Sequence, residues 1–228
     1  MERRLPPQYT GWELHEPVFR RLSTPELVME IQDGSPDRRL AALSVIDLAD
    51  VAQSTIEDWV RTLPDAEANE LAGAIPAQRH HADCTEEMRW MRVARLGYEH
   101  RRLPTFLVML MSSLEAVESK GCPEAAQAWT ETAGWLGATY DRLVANTADD
   151  CIDDLSLFVF ECYLDREPLF QEFCQLIRRH GALAWDVSAN PSLLLGALPE
   201  SRQRAALIEA ERGGGLPFAE SWAALRQG

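Results

Sequence analysis

The densest potential chemistry in the chain is a run of six residues, Asp149-Asp150-Cys151-Ile152-Asp153-Asp154. On a helix, Asp149, Asp150 and Asp153 share one face. Their oxygens could hold Mg²⁺, a hard cation that takes oxygen ligands, and so clamp a diphosphate. The same acids suit a quieter role. Thr147 as an N-cap with Asp150 three residues on makes a capping-box-like start, and further aspartates in a first turn complement the helix dipole.

The D-D-x-x-D spacing resembles the Mg²⁺ motif of class I isoprenoid synthases, which are all-helical. That resemblance implies a Mg-dependent enzyme acting on a diphosphate through Asp149, Asp150 and Asp153. It covers six residues, and Ser156 to Glu161 is one residue too long to supply the family's second metal motif. Helix capping is therefore the expected role of these acids, with the metal centre as the alternative.

Other candidate groups lead to no catalytic constellation. His80, His81 and Cys84 offer zinc ligands, but a closed zinc site takes four, and neither His100 nor Cys122 stands at a motif spacing. The five cysteines, at 84, 122, 151, 162 and 174, are odd in number and lack a C-x-x-C pair, so free thiols in a reducing compartment are expected. Cys151, Cys162 and Cys174 lie about three helical turns apart and read as small buried hydrophobes. Gly213-Gly214-Gly215 lacks the strand and the G-K-[ST] ending of a phosphate loop and reads as a hinge. No catalytic residue, metal or cofactor is expected; whether the chain is an enzyme stays open, leaning to no.

Charge gives the leading functional expectation. There are 36 acidic side chains against 22 basic ones, a formal net charge of −14, so the average surface repels phosphate backbones and direct nucleic-acid binding is disfavoured. A passing likeness to a helix-turn-helix, from Ile46 to Trp59, is set aside because Glu57 and Asp58 would meet phosphates with like charge. The acids Asp47, Asp50, Glu57, Asp58, Asp65, Glu67 and Glu70 could instead form a face that meets a basic protein. The expected function is then a non-enzymatic inhibitor or adaptor of the immunity or anti-defence type. Lys120 is the sole lysine among the basic residues, a usage that fits a GC-rich bacterial genome.

The elements that would carry these residues are helices. Thr24-Pro25-Glu26 and Ser35-Pro36-Asp37 each pair a capping side chain with proline at the first helical position. Ala42, Val45, Ile46 and Ala49 follow at helical spacing, and further helices are predicted over 54–63, 65–75, 85–102, 104–120 and from Pro123, the last with Ala125, Trp129, Leu136, Tyr140 and Leu143 on one face. Two more follow. One carries Ile152, Leu155, Phe158, Val159, Cys162 and Tyr163; the other carries Phe170, Phe173, Cys174 and Ile177. A polar helix is expected over 199–212. Residues 34–63 resemble one HEAT-type helical hairpin, with no second copy at a fixed period.

The expected fold is all-α, nine to twelve helices in antiparallel hairpins, with a HEAT-like N-terminal part packed on a C-terminal helical bundle. The expected division is 1–78, 79–212, and a hinge and tail over 213–228. The break is placed where Pro76 and Gln78-Arg79-His80-His81 interrupt the pattern. In the tail, Phe218, Trp222 and Leu225 form an apolar stripe that could dock on the body or on a partner, so an assembly subunit is a third reading. The N-terminus runs straight into polar residues, so no secretory leader is expected, and the longest apolar run, Phe106 to Met111, is far short of a membrane span. A cytoplasmic location is expected.

Overall fold

The computed structural model describes residues 16–78, 82–146, 163 and 165–180. Among the described residues there are nine α-helices and no strand: α1 Glu16–Phe19, α2 Thr24–Asp33, α3 Pro36–Val45, α4 Gln53–Thr62, α5 Asp65–Gln78, α6 Cys84–Arg101, α7 Pro104–Ser119, α8 Ala125–Ala145 and α9 Glu167–His180. The fold is all-α. Contacts divide the chain into two units, 1–122 and 123–228.

Local chemistry accounts for most helix ends. Ser23, one residue before the expected Thr24, is the N-cap of α2; its backbone N–H and its hydroxyl both donate to the Glu26 carboxylate, at 2.7 and 2.6 Å. These bonds, the hydroxyl's first, hold the Glu26 carboxyl below its ordinary value of 4.5. A depressed acid contributes stability above its unfolded value and loses it as pH falls through the folded one. Glu26→Gln should therefore lower stability modestly at neutral pH, with the difference from the native chain shrinking as pH falls below about 4.5, so that the acid limb is flatter; acid denaturation followed by circular dichroism checks this. Ser35 occupies the N-cap position of α3 with Pro36 in the first turn, as expected, but its side chain makes no capping hydrogen bond.

The stripe predicted after Ser35 stops early. α3 ends at Val45, and Leu48–Asp50 forms a separate 3-10 turn in which the Asp47 side chain accepts from the Ala49 N–H at 3.0 Å. A short acid that bonds its own backbone competes with helix continuation, so Ala49 is exposed rather than part of the stripe. α6 likewise starts one residue before the expected cap: Asp83 accepts from the Glu86 N–H at 2.9 Å and Cys84 is the first helical residue. α5 runs on through Pro76 to Gln78, and α5 packs on α7. The contacts divide at Cys122–Pro123.

In the first unit the helices pack two ways. α2 packs on α3 and α6 on α7 as hairpins, while α3, α5 and α7 form one row and α4 packs on α6. α6 and α7 are antiparallel, since residues 84, 87 and 97 meet 122, 120 and 106 respectively. α4 and α6 are parallel: Arg89 donates to the Val51 carbonyl before α4 and Arg101 to the Val60 and Arg61 carbonyls at its end. Arg101 thereby satisfies carbonyls that the last turn of α4 cannot pair internally. The core includes Ile31, Leu43, Ile56, Trp59, Leu71, Trp90, Tyr98, Phe106 and Leu110. Gly97 is required where α6 meets α7, because a Cβ there would run into the ring of Phe106.

In the second unit α8 and α9 pack together, burying Trp129, Leu136, Tyr140 and Leu143 from the predicted face with Phe170, Phe173 and Cys174. These two are not an antiparallel hairpin. Arg166 lies over Trp129, Glu172 faces Gly137, and Arg179 and His180 reach Asp141, so the contacts ascend together and the helices run parallel. The helix predicted over 152–163, apart from Tyr163, and the helix over 199–212, the glycine hinge and the tail lie outside the described residues.

Candidate acidic interface

The first unit positions all seven carboxylates of the expected acidic face. Asp47 and Asp50 are exposed at the two ends of the 3-10 turn, where a helix would have ended anyway. Asp47 also borders an open cleft of about 480 Å³ with Arg20, Ser44, Val45 and Ile46. Asp50 has no side-chain partner among the described residues, and neither does the exposed Glu70 on α5.

The remaining four are neutralised to different degrees. Glu57 accepts from Gln53 at 2.7 Å and has Arg61 at 3.7 Å, and Asp58 has Arg61 at 3.2 Å. Such exposed pairs on one helix are weak and leave both carboxylates open to solvent. Asp65 faces Arg101 at 3.2 Å. Glu67 is different in kind: it is buried, with 3% exposure, and receives both Nε and Nη2 of Arg39, at 3.1 and 2.9 Å, while Arg39 Nη1 also donates to the Gly34 carbonyl. Glu67 therefore belongs to the interior, not to a face. Glu67 stands one turn before the buried Leu71 on the same helix, but sequence spacing could not show its partner, since the arginine that neutralises it lies 28 residues away.

Together these placements leave Asp47, Asp50 and Glu70 as accessible carboxylates without an ion pair among the described residues, joined by Asp58 and Asp65 with partial neutralisation. Such groups can attract a cationic surface over a Debye length. Among the described residues no group of three His, Cys, Asp or Glu side chains is arranged to hold a metal ion.

Two of the residues weighed as zinc ligands are committed elsewhere. Cys84 and Cys122 form a disulfide, with Cα atoms 5.8 Å apart, which overturns the expectation of free thiols at both positions. The antiparallel packing of α6 on α7 supplies the proximity that sequence spacing hides. Cys174 is buried, as expected of a small hydrophobe. His100 is exposed. His80, His81, Cys151, Cys162, the aspartates 149, 150 and 153, and the tail residues Phe218, Trp222 and Leu225 lie outside the described residues.

No family model, curated protein or solved structure matches this chain. No described helix is long and apolar enough to cross a membrane.

Proposed function

We propose that this chain is a non-enzymatic inhibitor or adaptor of bacterial, immunity or anti-defence type that presents an acidic surface to a basic protein and does not bind nucleic acid directly. The observation that carries this reading is the set of exposed carboxylates Asp47, Asp50 and Glu70, without an ion pair among the described residues, on a chain of net charge −14. Asp50 and Glu70 make no side-chain bond among the described residues, and Asp47, although it accepts from the Ala49 N–H, carries no ion pair there, so all three can steer a cationic partner. The row formed by α3, α5 and α7 supports a HEAT-like stack of hairpins, an architecture that builds extended binding surfaces.

The test is affinity capture from the native host on the immobilised chain, followed by association rates for the captured protein. A basic partner should bind with a rate that falls steeply between about 50 and 500 mM salt, because screening shortens the reach of surface charge. The triple variant Asp47→Asn, Asp50→Asn, Glu70→Gln should slow association roughly tenfold at low salt while leaving dissociation nearly unchanged, with Asp47→Asn retaining a capping side chain. A partner whose on-rate ignored both salt and these substitutions would overturn the reading.

A further inference from the structure

The Cys84–Cys122 bond closes the open end of the α6–α7 hairpin, and its two sulfurs are not equivalent. Cys84 is half-buried in the first turn of α6, whereas Cys122 is buried, at 5% exposure. Cys122 is also the more firmly held. It follows Gly121, left-handed at φ 67°; its N–H donates to the Val117 carbonyl at 3.0 Å and that of Gly121 to the Glu118 carbonyl at 2.9 Å, the paired bonds of a helix C-terminal cap. Two further contacts at this end are independent of the sulfur bond. Asp83 caps α6 through the Glu86 N–H, and the Lys120 ammonium donates to the Ala82 carbonyl and to the buried Glu87, each at 2.6 Å. Lys120 lies two residues before Cys122, and its partners stand two residues before Cys84 and three after it.

We propose that Cys84 and Cys122 form a reversible thiol–disulfide switch, in which Cys84 meets a hydroperoxide first, Cys122 resolves it, and the closed bond steadies the end of the hairpin. In the first step the Cys84 thiolate attacks one peroxide oxygen; the O–O bond breaks, hydroxide leaves and takes a proton, and Cys84 becomes a sulfenic acid. The Cys122 thiolate then attacks Cys84 Sγ, the S–O bond breaks, and a second hydroxide leaves as water. Two protein sulfurs are oxidised and one peroxide is reduced to water. Opening takes a dithiol: one of its thiolates bonds to Cys84 Sγ, the electron pair of the broken bond leaves on Cys122 Sγ, and the second thiol releases Cys84 while the reductant closes its own disulfide. The Lys120 contacts and the packing of Gly97 against Phe106 keep residues 84 and 122 neighbours while the bond is open, so closure within one chain outruns bonding between chains.

The experiment uses the full chain, reduced with dithiothreitol and desalted. A brief pulse of iodoacetamide on this native form should modify Cys84 at least about fivefold faster than Cys122, as their different exposure requires. Hydrogen peroxide should link the peptides containing Cys84 and Cys122 within one chain, dimedone added with it should be found on Cys84, and dithiothreitol should reopen the bond. Hydrogen exchange then reads what the bond does: the amides of Glu87, Gly121 and Cys122, all paired in the structure, should exchange at least about tenfold faster in the reduced form than in the oxidised one. Faster alkylation or a dimedone adduct at Cys122, a bond formed only between chains, peptides that peroxide does not link, or equal exchange in the two forms would each overturn the proposal.

Discussion

Replacing Glu67 with alanine should lower the stability of residues 1–122 by about 3–5 kcal/mol, the usual cost of removing one partner from a buried ion pair. Arg39 would keep its bond to the Gly34 carbonyl but lose both contacts to a carboxylate whose side chain is only 4% exposed. Its guanidinium, 19% exposed, would remain charged in a setting that water reaches poorly. At roughly 2–4 °C per kcal/mol for a chain of this size, the midpoint of thermal unfolding should fall by about 10 °C. Arg39→Ala should cost as much, because it strands Glu67 in the same place. The double replacement Arg39→Met/Glu67→Leu should recover most of the loss, since apolar side chains of similar volume can substitute for a buried pair without desolvation cost. Calorimetry on the four proteins decides it: additive losses in the double variant would show that the two residues are not coupled. The pair also joins α3 to α5, two members of the one row of helices, so its loss should appear as lost cooperativity within the first unit rather than as fraying at an end.

Removing the disulfide should have an effect of similar size. Cys84 and Cys122 are separated by 38 residues, and closing a loop of that length restricts the unfolded chain enough to stabilise the fold by about 4 kcal/mol in the chain-entropy account. Cys84→Ala/Cys122→Ala should lower the urea midpoint accordingly. Part of that loss will be offset if the packed α6–α7 hairpin persists in the unfolded ensemble, so a measured range of about 2–5 kcal/mol is expected. The hairpin itself should survive, because Lys120 still ties its open end to Glu87 and Ala82, and Gly97 still lets α6 lie against Phe106. Combining the double alanine variant with Lys120→Met, which leaves the buried Glu87 without this cation, should cost more than the two changes summed. Unchanged stability on reduction of the native chain would show that the bond constrains nothing the packing does not already hold.

The helical class, the placement of α4, α7 and α8 and the buried faces of α8 and α9 were legible in the residues themselves. Their signals are local: proline in a first turn, a capping side chain, an apolar stripe at a 3.6-residue period. Where a local signal was misread, a neighbour of the same chemistry had taken the role. Ser23 caps in place of Thr24, and Asp83 in place of Thr85, because either residue of each pair can accept from the free N–H groups and the backbone path chooses between them. Asp47 ended α3 early by bonding Ala49, a local competition that hydrophobic spacing does not register.

What the sequence by itself determined is therefore the all-helical class, most of the described helices and the net charge of −14, all sums over short-range features. Tertiary structure alone decided which of those charges count. Glu67 met Arg39 across 28 residues, Asp65 met Arg101 across 36, and Cys84 met Cys122 across 38, while Asp50 and Glu70 met no side-chain partner among the described residues. The parallel course of α8 and α9 was equally hidden, since a helix's amphipathic face says that it packs but not in which direction its neighbour runs. The physical reason is common to all of these. Caps and periodicities act within one or two turns, whereas burial, neutralisation and cross-linking depend on which distant helix the apolar face selects, and the face carries no address beyond its shape and apolarity.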